Sequence, residues 1–249
     1  MRRRACFCRR LKIISEQLTF RKGLKDGLPI CLGYISVSFA FGMMATQGGL
    51  PVWVALLISM TNLTSAGQVA GTALILSGGM YIEIAVTTFV INIRYMLMSL
   101  SLSQKVDAAM TNLQRWALSF GVTDEIFAVA MQQKGEINAR YFSGLILTPY
   151  CGWALGTFLG AAATGILPES LRSALGIAIY GMFIAIIIPP ARTSKPILRV
   201  VLLAGALSCL FTFTPGLNLL SSGWVIIICA VAASALAALR YPVAKEAQT

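Results

Sequence analysis

Residues 27–82 read GLPICLGYISVSFAFGMMATQGGLPVWVALLISMTNLTSAGQVAGTALILSGGMYI, and the 56 positions from Gly27 to Ile82 hold no Asp, Glu, Lys or Arg. A membrane-spanning helix needs about 20 consecutive apolar residues. The stretch therefore has room for two spans joined at Gly48, Gly49 and Pro51. A second uncharged run, 40 residues between Arg199 and Arg240, repeats the pattern. No water-soluble fold needs such runs. The whole chain agrees: 12% of its 249 residues are charged, 57% are hydrophobic and the mean hydropathy is +0.78. A soluble domain carries about 25% charged residues to solvate its surface. The fold class that follows is an all-α integral membrane protein.

Apolar length and turn chemistry give eight segments, at about 27–46, 52–77, 81–103, 117–133, 142–166, 173–190, 197–214 and 222–240. The second is interrupted and the fourth is weaker, because it contains Asp124 and Glu125. If the fourth does not cross, seven spans remain. Gly78-Gly79, Pro168, Pro189-Pro190 and Pro215-Gly216 read as the turns. The organisation expected is a basic amino-terminal segment over 1–26, a transmembrane domain over 27–240 and a tail over 241–249. Residues 1–20 do not read as a signal peptide, since no apolar core follows the basic region before Gly23.

The net charge of +11 is concentrated ahead of the first span, where Arg2, Arg3, Arg4, Arg9, Arg10, Lys12, Arg21, Lys22 and Lys25 lie. Membrane-flanking Lys and Arg set orientation and contact anionic headgroups, so the block reads as a cytoplasmic anchor in a lipid bilayer rather than a nucleic-acid surface. Alternating eight spans from a cytoplasmic start puts sixteen basic residues on that side and three (Lys105, Arg115 and Arg172) on the other. Both termini are then cytoplasmic.

Three clusters of polar residues fall inside the apolar segments. The run Thr61-Asn62-Leu63-Thr64-Ser65-Ala66-Gly67-Gln68 sits near the middle of the second. Irregular backbone survives at membrane depth only against protein or a hydrated cavity, and transporters build zwitterion sites from such unwound segments. Asn62, Thr64, Ser65, Gly67 and Gln68 are therefore candidate substrate contacts; the structural alternative is close packing of small residues against a neighbouring helix. In the third segment Asn92 and Arg94 are further candidates. Arg94 lies about 16 Å beyond Glu83, taken as interfacial, at 1.5 Å rise per residue, and a guanidinium at that depth is a functional hypothesis by default. It would face a substrate carboxylate, or Asp124 or Glu125, or serve as half of a structural ion pair. Asp124 and Glu125 point about 100° apart on a helix. A carboxyl in a low-dielectric cavity takes up a proton more readily than one in water, which suits proton coupling; the alternative is an interfacial acidic pair.

Other signals are structural or exclusive. Gly152, Gly156 and Gly160 form a small-residue ridge for helix packing, and Trp53, Trp116, Trp153 and Trp224 read as interfacial. Without histidine there is no serine–histidine triad, no P-loop is present, and Cys6-x-Cys8 has no second pair to complete a metal site. No cofactor or metal is expected. An intramembrane enzyme and a non-transporting scaffold are the competing classes, the first disfavoured because Asp124 is the single Asp within a span.

At these motifs the chain resembles the AzlC family, the large subunits of bacterial branched-chain amino-acid exporters, over about residues 20–240. Gly27-Leu28-Pro29-Ile30 through Phe39-Ala40-Phe41-Gly42 is similar to the family's opening pattern, Ser65-Ala66-Gly67-Gln68 to its AGxxQF segment, Asn92-Ile93-Arg94-Tyr95 to its (N/D)-x-R-H position, and Phe120-Gly121-Val122-Thr123-Asp124-Glu125 to F-x-x-T-D-E. The chain departs at Tyr95, where the family has His, and at Ser65 and Val69, where it has Gly and Phe. The resemblance implies a permease of the inner membrane exporting valine, leucine, isoleucine and also methionine, driven by the proton gradient, with a small AzlD-type membrane subunit as partner.

Overall fold

The computed structural model describes residues 18–214 and 220–241. Cys6, Cys8, most of the basic block and Pro215-Gly216 lie outside them. Among the described residues there are ten α-helices and no strand, only an isolated bridge between Val106 and Ile137. In chain order they are α1 (Phe20–Gln47), α2 (Val52–Thr61), α3 (Ser65–Leu76), α4 (Tyr81–Ser103), α5 (Asn112–Ser119), α6 (Asp124–Gln132), α7 (Ala139–Ala163), α8 (Glu169–Thr193), α9 (Lys195–Phe213) and α10 (Ser222–Arg240). Five of them, α1, α4, α7, α9 and α10, are long and apolar enough to cross a membrane. The chain divides into two compact units, one from Met1–Gln68 with Asn92–Gly176, the other from Val69–Ile91 with Ile177–Thr249.

The first unit is built on α1 and α7, which lie parallel and touch backbone to backbone. In lipid no hydrophobic force draws helices together, so small residues that allow close approach decide the pairing. Each helix supplies some. A Cβ added to Gly23 would sit 2.7 Å from the Leu145 amide nitrogen, and one on Gly42 2.8 Å from that of Ala161. From the other side, Cβ atoms on Gly152 and Gly156 would lie 2.9 Å from the Cys31 carbonyl and the Ile35 Cα. The predicted glycine ridge is this seam, and it extends onto α1.

Leu18, Leu102, Ile137 and Tyr141 share one buried cluster, so α4 ends and α7 begins where α1 begins. The fourth segment starts and finishes at this same end. Ile137 donates its amide to the Lys105 carbonyl and Asp107 to that of Ile137, each at 2.9 Å, while Lys22 Nζ donates to Gln133 Oε1 at 2.6 Å. Between these anchors the chain climbs through α5 and returns through α6, and its tip at 120–123 reaches Tyr34, midway along α1. The stretch expected as one weak span is thus two helices of 8 and 9 residues forming a re-entrant hairpin. Local chemistry explains the break. Thr123 caps α6 by accepting from the Ile126 amide, and Asp124 and Glu125 occupy the first turn, where acidic residues favour a helix start.

The second segment is interrupted as expected: α2 ends at Thr61 and α3 starts at Ser65. Ser59 and Gln68 would stand about 13 Å apart along a straight helix, yet Gln68 Nε2 donates to Ser59 Oγ at 3.1 Å.

In the second unit α9 packs on α10, and Glu83, read as interfacial, is 2% exposed. Its carboxylate accepts from Ser221 Oγ and from the Gly223 amide at 3.0 Å, an anion at a helix start. Pro189-Pro190 do not make a turn; α8 runs through them to Thr193.

Candidate substrate site

The site lies wholly within the first unit, where the tips of the two broken segments approach Tyr34. At the first tip Asn62 leaves helical geometry (φ −134°, ψ 84°) after its amide has closed α2 on the Ile58 carbonyl. Its side-chain oxygen accepts from Thr64 Oγ1 at 2.7 Å. Ser65 opens α3, and the Thr64 carbonyl accepts the Gln68 amide at 2.9 Å. The first-turn amides of Ser65, Ala66 and Gly67 have no carbonyl one turn back, as at every helix start, so they can receive an anion. Against them lies Asn92: a Cβ on Gly67 would be 2.7 Å from both Asn92 amide atoms. Asn92 Oδ1 is buried and makes no hydrogen bond among the described residues.

Gln68 belongs to the frame. It is 1% exposed, accepts from Trp153 Nε1 at 2.9 Å and donates to Ser59, whose hydroxyl pairs with Thr157 Oγ1 at 2.6 Å. Trp153, expected at an interface, is buried because this partner satisfies its indole N–H. Tyr150 Oη donates to the Met60 carbonyl at 3.0 Å, satisfying a group that the end of α2 leaves open.

The acidic pair divides its work. Asp124 takes Arg94 in a two-pronged ion pair, Nη1–Oδ1 and Nη2–Oδ2 both at 2.9 Å. Such fork-to-fork geometry fixes orientation as well as charge. Tyr95, standing where the family pattern has His, accepts from Arg94 Nη2 at 3.1 Å and sets its ring 4.8 Å from the guanidinium. Of the partners left open for Arg94, the structure brings up Asp124. Glu125 is exposed, pairs with no cation among the described residues, and accepts from Tyr34 Oη at 2.6 Å. The same hydroxyl lies 2.7 Å from Thr123 Oγ1. Tyr34 in turn packs on Leu63 of the first tip and meets Trp153 edge to face at 5.0 Å.

All nine residues singled out from sequence therefore lie at one tip or the other, or on α4 beside them. Sequence reasoning missed Tyr34, Ser59, Trp153 and Thr157. A lone tyrosine in the middle of an apolar span was the available signal, because its hydroxyl needs a partner at that depth.

Residues 29–167, more than half of the chain and most of the first unit, match the family model described as AzlC protein. The chain is 28% identical over 203 residues to the inner membrane protein YgaZ of Escherichia coli (strain K12), covering 79% of this chain and 83% of that one. It is 33% identical over 212 residues to an uncharacterized membrane protein of Archaeoglobus fulgidus, covering 84% and 91%. No solved structure matches. With the family model spanning most of α1, the break at 62–64, α4, the fourth-segment hairpin and α7, this chain is a membrane protein of the AzlC family.

Proposed function

We propose that the protein is a secondary exporter of branched-chain or similarly small apolar amino acids, coupled to protons and acting with a small AzlD-type subunit. The observation that carries this reading is the open backbone at 62–64, beside the unsatisfied Asn92 Oδ1. A zwitterion fits such a place. Its carboxylate suits the α3 start and its ammonium suits acceptors such as Asn92 and a carboxylate.

Arg94 is already neutralised by Asp124, so it shapes the local field instead of offering a free cation. Glu125 is the acid left to exchange. A carboxylate that holds either a proton or the substrate's ammonium makes the two mutually exclusive, which is what antiport requires. Valine, leucine, isoleucine and methionine have this head group with an uncharged side chain.

The reading places the protein in the inner membrane with both termini cytoplasmic. The fourth-segment hairpin supports it by bringing Lys105, Arg115, Lys134 and Arg140 to the end where α1 starts at Arg21, Lys22 and Lys25, in keeping with positive-inside bias. The test is efflux from cells loaded with a leucine dipeptide. Deleting the gene should raise intracellular leucine and its toxicity. Unchanged accumulation with the gene present or absent would rule out this substrate.

A further inference from the structure

We infer that Tyr34 is the positioning residue of the exporter proposed above: it holds the exchanging carboxyl at one re-entrant tip and ties it to the other. It lies within the opening pattern on α1 but is none of the candidate residues, and it belongs to neither broken segment. Yet its hydroxyl donates to Glu125 Oε2 at 2.6 Å and lies 2.7 Å from the α6 cap Thr123, while its ring packs on Leu63 and on Trp153. Trp153 continues through Gln68 and Ser59 to Thr157. One side chain thus touches the second tip through its polar end and the first through its apolar body.

A phenol has one proton and gives it to the strongest acceptor in reach, here the ionised Glu125; the Thr123 hydroxyl is then placed to donate to Tyr34. When Glu125 takes a proton the acceptor weakens and the tyrosine loses its reason to stay. Motion of its ring would be felt at Leu63 and Trp153, and so at the break between α2 and α3. Occupancy of the first tip would act back on Glu125 by the same route, since coupling between sites is reciprocal. The other titratable or charged groups facing this carboxyl are Asp124 on its own helix and Arg94 and Tyr95 from α4. Arg94 and Asp124 are bound to each other, leaving Tyr34 as the neutral handle on Glu125.

The decisive variant is Tyr34→Phe, which keeps the ring and its packing and removes the hydroxyl. The first measurement uses the full chain with Trp53, Trp116 and Trp224 each replaced by Phe, so that Trp153 alone reports. Its emission should change on acidification, and that change should vanish in Glu125→Gln and in Tyr34→Phe. An unchanged response in Tyr34→Phe, or no response in the parent, would overturn the inference whatever the substrate proves to be. The second measurement uses proteoliposomes. Tyr34→Phe should keep leucine–leucine exchange without a gradient but lose about tenfold in leucine accumulation driven by a pH gradient, the worth of one hydrogen bond to a charged group. Equal losses in both assays would reduce Tyr34 to a packing residue. A parent chain that moves no leucine would sink the substrate reading while the fluorescence result still decides the role of Tyr34.

Discussion

Where a buried polar side chain of the first unit has a partner, the cost of removing it depends on what is left behind. Gln68 bridges Trp153 and Ser59. Gln68→Ala strands the indole N–H and leaves Ser59 with Thr157 alone, and a buried unsatisfied group costs about 1–3 kcal/mol. The detergent-solubilised variant should melt several degrees lower than the parent, on the order of the shift such a loss produces. Arg94→Lys tests the ion pair. Lysine keeps the charge but cannot make both prongs to Asp124, so efflux should fall about tenfold or more with membrane insertion intact. Wild-type efflux from Arg94→Lys would remove the pair from the mechanism.

Among the elements, the α1–α7 seam carries the strictest demand. A side chain at Gly156 has no space, since its Cβ would already press on Ile35 and Ser38. Overpacking costs about 1–3 kcal/mol even in cores that adjust, and a backbone contact adjusts less. Gly156→Val should therefore give little monodisperse protein by size-exclusion chromatography, whereas Gly165→Ala, in open space, should behave as the parent. The α6 start is more tolerant. Thr123→Ala removes the cap and the neighbour of Tyr34, and should cost about 1 kcal/mol of stability while lowering efflux more than that loss explains.

For the whole molecule the fourth-segment hairpin bears on the topology. Lys105 and Lys134 bracket the fourth segment and lie at the α1 start. Single cysteines at the two positions, in a background lacking the native six, should both react with a membrane-impermeant thiol reagent from the side that labels the amino terminus. Labelling from opposite sides would show that the segment crosses. The break at 62–64 gives the first unit a second interrupted element, and the two breaks approach one tyrosine from different parts of the chain.

The membrane class was readable from charge-free length alone. Hydrocarbon tolerates no unpaired backbone, so a run of 56 uncharged residues can only be helical and spanning or re-entrant. The break at 62–64 was readable too, from polar side chains too many for packing, and Arg94, Asp124 and Glu125 were readable as charges inside apolar segments. Direction was not. Hydropathy is the same for a helix that continues and for one that doubles back, and in the fourth segment only the return of Gln133 to Lys22 distinguishes them. Nor could sequence pair Asp124 with Arg94 and Glu125 with Tyr34, because partners 30 and 91 residues apart meet only once α1, α4 and α6 are placed. Local composition fixes what a segment must avoid, whereas long-range geometry decides what it touches.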